Sequence, residues 1–155
     1  MEKKSVFVSE GQWYKGNIHL HTTISDGMLT PEGAVRMYRD AGYSFIAVTD
    51  HNIYGLHSSL QTDDFIIFGG IELDVSLNHD LGFCHHAVFI ALPEETPFEH
   101  EQDLFEITGD MSFQEIIDYM RNNNHIAVYA HPRWSHINME EYENVRGFKR
   151  RECFI

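Results

Sequence analysis

Cysteine and basic residues are both scarce in this chain, and each scarcity excludes something. The two cysteines, Cys84 and Cys153, lie far apart and form no CxxC pair, so neither a disulfide scaffold nor a thiolate zinc site is expected. Only 11 Lys and Arg stand against 24 Asp and Glu, for a net charge of -13 with neutral histidines. That balance argues against a general grip on nucleic-acid backbones or anionic membranes. No stretch approaches the roughly 20 apolar residues that span a bilayer. Lys3 and Lys4 look like the start of a signal peptide, but Val6, Phe7 and Val8 are followed at once by Ser9, Glu10 and Gly11, which break the run. The expectation is a cytoplasmic protein without nucleic-acid or membrane partners.

What the chain does have is apolar material and histidine. Its 155 residues suit one ordinary domain, and 43% hydrophobic residues suffice for a sizeable core. Histidine is unusually frequent, at 11 residues. With thiolates nearly absent, the ligands of any transition metal should be imidazole and carboxylate.

Gly16 to His21 reads as a short strand ending at a polar turn, Thr22 to Gly27. Thr30 as cap and Pro31 at the first helical position predict a helix that Gly42 closes. Phe45 to Thr49, Phe65 to Leu73, His86 to Leu92 and Ile126 to Ala130 are compact apolar runs of strand length, with Gly69 and Gly70 marking a bend or close backbone approach. Pro93 to Asp110, acidic and carrying two prolines, reads as a solvated excursion. Ser112 and Glu115 form a capping-box pair ahead of Phe113, Ile116, Ile117 and Met120, and Asn138 with Glu141 repeats that pattern for a last short helix. Apolar strands alternating with helices predict an α/β fold with a parallel sheet, whose ligands gather at the carboxyl ends of the strands.

The polar residues fall where that architecture wants them. His19 and His21 end the first strand, Asp50 and His51 the second, Glu72 the third, and His131 follows the fifth. A period of two aims His19 and His21 at one face, and Asp26 can swing back from the turn. His86 opens its strand and sits at the wrong end. His85 and His86 point to opposite faces, so at most one of them enters the site. His57, His79, His100, His125 and His136 fall in loops or at helix edges and are read as ordinary residues. Burying several such groups together without a metal is costly, so the cluster predicts a metal site.

The run GNIHLHTTISDGMLTPEGAVRMYRDAGYSFIAVTDHN, from Gly16 to Asn52, resembles the opening of the PHP (polymerase and histidinol phosphatase) family. Its flavour is that of the bacterial metallohydrolase branch named carbaryl-hydrolase-like. The later GIE (Gly70 to Glu72), HHAVFIAL (His85 to Leu92) and AHPRWS (Ala130 to Ser135) follow in the family's order. The resemblance implies a distorted (β/α)7 barrel holding two or three divalent metal ions, zinc, manganese or iron. In family terms His19 and His21 bind one metal with Glu72 bridging, Asp26 and His51 a second, and Glu72, His86 and His131 a third. Asp50 is implied as a carboxylate supporting or facing the site. Such ions make hydroxide available near neutral pH, so the implied activity is a metal-dependent phosphoesterase acting on a small phosphorylated or ester substrate. Asp50 and Arg133 are the candidate catalytic residues, Arg133 to orient a phosphate oxygen and Trp134 to wall the pocket.

The chain departs from that pattern at its end. PHP proteins run longer and carry a late Asp-x-His pair, and no Asp-x-His follows His131. Residues 1–155 are read as a single domain. The resemblance covers residues 16–135, about the first half to two-thirds of a family domain, and 136–155 is a divergent or truncated tail. The alternative to a hydrolase is an inactive remnant that binds metal or serves as an interaction module. Unpaired outer edges on the first and fifth strands predict a homo-oligomer.

Overall fold

A computed structural model describes residues 10–78, 83–92, 111–135, 145–148 and 150–151. The excursion read at Pro93 to Asp110 and the helix read at Asn138 lie outside them, as do His79, His100, His136 and Cys153. Among the described residues no helix is long and apolar enough to cross a membrane.

Strand β1 (Gly16–Asn17) is followed by helix α1 (Pro31–Asp40), β2 (Phe45–Ala47), a 3-10 turn (Ser58–Leu60) and β3 (Ile66–Phe68). β1, β2 and β3 form a parallel three-stranded sheet in that order. Next come β4 (Gly70–Asn78), β5 (Phe83–Ala91), helix α2 (Phe113–Asn122), β6 (His125–Tyr129) and β7 (Arg150–Arg151). These four strands make a second sheet, also in sequence order.

The second sheet corrects the expectation of a wholly parallel arrangement. β4 pairs antiparallel with β5 and β5 antiparallel with β6, and only β6 and β7 run parallel. The fold is therefore mixed α/β. Phe65 to Leu73, read as one strand, is divided between the two sheets at Gly69. Gly70 permits the close approach there, because a Cβ on it would lie 2.8 Å from the Phe89 carbonyl oxygen and 3.0 Å from the Thr49 side chain. The outer edge of β6 is also covered in part, with Val128 and Tyr129 in register with Arg150 and Arg151. A short bridge links the sheets: Glu72 N donates to Asp50 O at 3.2 Å and Asn52 N to Glu72 O at 2.8 Å.

The helices begin where their caps dictate. Thr30 accepts from Gly33 N at 3.2 Å, and Ser112 with Glu115 forms a reciprocal capping box. α1 lays Val35 against Ile46, Val48, Phe65 and Ile67. α2 lays Phe113, Ile116, Ile117 and Met120 against Ile71, Leu73, Ala87, Phe89, Ala127 and Tyr129. Strand alternation sends Val88, Ile90, Val128 and Ala130 to the opposite face, where Ala47 of β2 joins them. This face carries Glu72 and Asp74 from β4 and His86 from β5.

Ile117 is fully buried on the inner face of α2, whereas Met28 is 94% exposed. Ile117→Ala should cost about 2–5 kcal/mol of unfolding free energy and Met28→Ala less than about 0.5 kcal/mol, as read by urea titration with circular dichroism. Equal effects would contradict this assignment of the core.

Candidate metal centre

Glu72 is fully buried, and five imidazoles surround its carboxylate. His21 Nε2 lies 2.7 Å from Oε2, with His19 Nε2 at 3.5 Å and His51 Nδ1 at 3.6 Å from the same oxygen. His131 Nε2 lies 2.8 Å and His86 Nδ1 3.1 Å from Oε1. Asp26 stands behind this ring, 2.7 Å from His21 Nδ1 and 3.9 Å from His51 Nε2. His19, His21, Asp26, His51, Glu72, His86 and His131 are thus brought to one place.

Local structure explains how each arrives. Beyond β1 the chain stays beside β2: Thr49 N donates to Leu20 O at 2.8 Å, and His19 Nδ1 meets the Thr49 hydroxyl at 2.9 Å. His21 leads into a turn in which Thr22 O accepts from Ser25 N and Gly27 N, which returns Asp26 to His21. His51 and Glu72 sit side by side on the parallel bridge between the sheets. His131, with φ of 23°, takes the left-handed conformation just past β6. His86 reaches the site because β5 runs antiparallel to β4, with Asp74 opposite His86. β5 also runs antiparallel to β6, so the carboxyl end of β6, which leads to His131, lies beside the early part of β5, where Ala130 N donates to His86 O at 3.0 Å.

The remaining sequence candidates lie elsewhere. Asp50 is 1% exposed and faces the turn. Its carboxylate accepts from Thr22 N at 2.7 Å, Thr22 Oγ1 at 2.8 Å and Ser25 Oγ at 2.6 Å. Asp50 therefore anchors the loop that presents Asp26. Arg133 is exposed two residues past His131, and the exposed Trp134 lies with its ring centroid 5.4 Å from that of His131. His85 turns away from the site, stacking on Phe113 at 4.2 Å and meeting the Tyr129 hydroxyl at 2.7 Å. His125 bonds the Tyr54 hydroxyl at 2.7 Å in the core.

Asp74 is a site residue that the sequence reading missed. Its Oδ1 lies 3.0 Å from both His51 Nδ1 and His86 Nδ1. Asn52 braces it through Nδ2 to Oδ2 at 3.0 Å and by accepting from Asp74 N at 3.0 Å. The signal was present in Ile71-Glu72-Leu73-Asp74-Val75, where apolar and acidic residues alternate strictly. Period two puts Glu72 and Asp74 on one face.

The charges are tightly coupled. Burial pushes the Glu72 carboxyl up, but contacts with His131, His21 and His86 outweigh it and hold the group well below the usual carboxylate range. Burial lowers the His19 imidazole to about 4, against the pull of Glu72. The Glu72 carboxylate, together with Asp26, raises His21 to about 9 in spite of burial. Burial likewise opposes charge on His86, yet Asp74, Cys84 and Glu72 raise it to about 11.

This donor set fits divalent cations. Among the described residues, three overlapping groups have donor atoms within 4.8 Å of one another: His19, His21 and Glu72; His21, Asp26 and His51; and His51, Glu72, Asp74 and His86. All donors are imidazole nitrogens or carboxylate oxygens, as zinc, manganese and iron prefer. His21 Nε2 and Glu72 Oε2 are buried and close, yet neither makes an aligned hydrogen bond, and His131 Nδ1 is likewise without one. An ion bound by both atoms answers the need that a direct hydrogen bond leaves unmet.

Comparison with known proteins places the fold. No protein-family model and no curated protein matches the chain. Among solved structures it is similar to an amidohydrolase from Chromobacterium violaceum, with 16% identity and a TM-score of 0.56 over 83% of this chain and 71% of that one. A protein from Bifidobacterium adolescentis, assigned by inference as a metal-dependent phosphoesterase, also gives 16% identity and a TM-score of 0.56, over 83% and 73% of the two chains. A two-domain protein from Bacteroides vulgatus, containing a predicted PHP-like metal-dependent phosphoesterase, gives 16% identity and a TM-score of 0.50 over 84% of this chain and 40% of that one. The described residues thus share the fold of structures named as amidohydrolases and PHP-like metal-dependent phosphoesterases.

Proposed function

We propose that this chain is a metal-dependent hydrolase of the PHP type, acting on small phosphate esters through a metal-activated water. The observation that carries this reading is the buried Glu72 carboxylate shared among His19, His21, His51, His86 and His131. Burying one acid among so many imidazoles is costly without further charge compensation, whereas a shared carboxylate suits adjacent cations. The two sheets are read as part of a distorted (β/α)7 barrel, the branch as carbaryl-hydrolase-like, and the compartment as cytoplasmic.

His19, His21 and Glu72 would hold one ion, His51 and Asp26 a second, and Glu72, His86 and His131 a third. Divalent ions held by these residues would make hydroxide available near neutral pH and would offset charge that builds on ester oxygens. Asp50 keeps the Thr22–Ser25 turn in place and so presents Asp26. Arg133, exposed just past His131, would orient a phosphate oxygen, as a guanidinium does through paired N–H groups. His19, held largely neutral, offers a lone pair without first losing a proton. His21 and His86 must each give up a proton before their facing nitrogens can bind an ion.

Purified protein loaded with zinc or manganese should release phosphate from an aryl phosphate ester. Glu72→Gln should lose bound metal and turnover together, because it weakens every set that shares the carboxylate. Asp50→Asn should retain more metal, with affinity lowered about 10- to 100-fold, as is usual for groups that support ligands. Equal metal loss in the two variants would contradict the roles assigned. Tight metal binding without turnover would favour the inactive remnant.

Proton release provides a separate check. With His21 raised to about 9 and His86 to about 11, both are charged in the metal-free protein at pH 7.5, so cations compete with protons for them. Metal affinity should therefore rise with pH from 6 to 9, and uptake should release about one proton or more per chain. Calorimetry in buffers of different ionisation enthalpy measures this. Uptake without proton release would contradict it.

A further inference from the structure

The ligand set proposed above uses one nitrogen of His51, and the structure assigns a purpose to the other. His51 Nε2 faces Asp26 Oδ2 at 3.9 Å, too far for a hydrogen bond but within the span of two metal–ligand bonds. An imidazole that gives Nε2 to a cation carries its proton on Nδ1. That Nδ1 lies 3.0 Å from Asp74 Oδ1, aligned for a hydrogen bond.

Asp74 is itself held in place. Asn52, directly after His51, donates from Nδ2 to Asp74 Oδ2 at 3.0 Å and accepts from Asp74 N at 3.0 Å. With Oδ2 engaged, Oδ1 is left for the imidazole. Asn52 has φ of 56°, a left-handed conformation that asparagine tolerates better than most residues, and its N–H donates to Glu72 O at 2.8 Å. The bridge between the sheets thus fixes Asn52, Asn52 fixes Asp74, and Asp74 fixes the His51 ring. Asp74 Oδ1 is also 3.0 Å from His86 Nδ1, but the aligned partner of that nitrogen is Glu72 Oε1 at 3.1 Å.

We infer that Asp74, clamped by Asn52, is a positioning residue that sets the His51 tautomer and aims Nε2 at the ion held with Asp26. This rests on the metal-dependent reading of the site. Carboxylates that orient metal-bound histidines in this way usually change metal affinity about 10- to 100-fold when removed.

The test is 15N NMR of histidine-labelled protein loaded with 113Cd. The expected result is cadmium coupling to His51 Nε2, with His51 Nδ1 protonated. Asp74→Ala should weaken the ion at His51 by about 10- to 100-fold and, in the metal-free protein, turn the single Nδ1–H tautomer of the neutral ring into a mixture. Asn52→Ala should act in the same direction with a smaller effect, and the ion at His19, His21 and Glu72 should remain in both variants. Coupling of cadmium to His51 Nδ1, or a single Nδ1–H tautomer retained by the neutral ring in metal-free Asp74→Ala, would overturn the inference while leaving the metal site standing. Failure to bind any cadmium would remove the metal-dependent reading itself, and this inference with it.

Discussion

A carboxylate cut off from water is costly unless charge and hydrogen bonding are supplied to it, and Glu72 is fully buried. The arrangement of the chain around it answers that need. The parallel bridge to Asp50 and Asn52 fixes the Glu72 backbone, β5 delivers His86, the end of β6 delivers His131, and the segment beyond β1 delivers His19 and His21. Each imidazole near Glu72 lowers the cost of burying it, and removing the acid would leave several of them crowded without a partner. The site is therefore cooperative, and effects of substitutions within it should not be additive.

The fold separates stability from chemistry by strand parity. On β4, Ile71, Leu73 and Val75 pack toward α2, while Glu72 and Asp74 face the other way. On β5, Ala87 and Phe89 pack toward α2 with His85, while His86 and Val88 face the site side. A shift of one residue in either register would exchange the two sets. The paired Tyr129 hydroxyl and Phe113 ring hold His85 on the helix side, which helps to fix that register.

Much of this was legible in the sequence because the signals were local. The Thr30 and Ser112 caps give the starts of the helices, the two-residue spacing of His19 and His21 puts them together, and the adjacent His85 and His86 had to diverge. Strand direction was not legible. Apolar runs look alike in parallel and antiparallel sheets, so His86 reads as misplaced, although β5 runs against β6 and its early residues lie beside the end of β6. Asp74 escapes the sequence because Phe65 to Leu73 reads as one continuous apolar run, although the chain changes sheets at Gly69 and alternates from Gly70 onward. Asp50 has a buried partnership with Thr22 and Ser25, residues 28 and 25 positions away, and no local pattern announces a contact of that range.

In the function proposed above, Glu72 bridges cations. Anomalous diffraction from crystals soaked in zinc or manganese tests it directly. Peaks are expected on both sides of the Glu72 carboxylate, each about 2.0–2.2 Å from one of its oxygens, with His19 and His21 on one ion and His86 and His131 on another. A carboxylate still bonded only to protonated histidines, with any ions bound elsewhere, would contradict it.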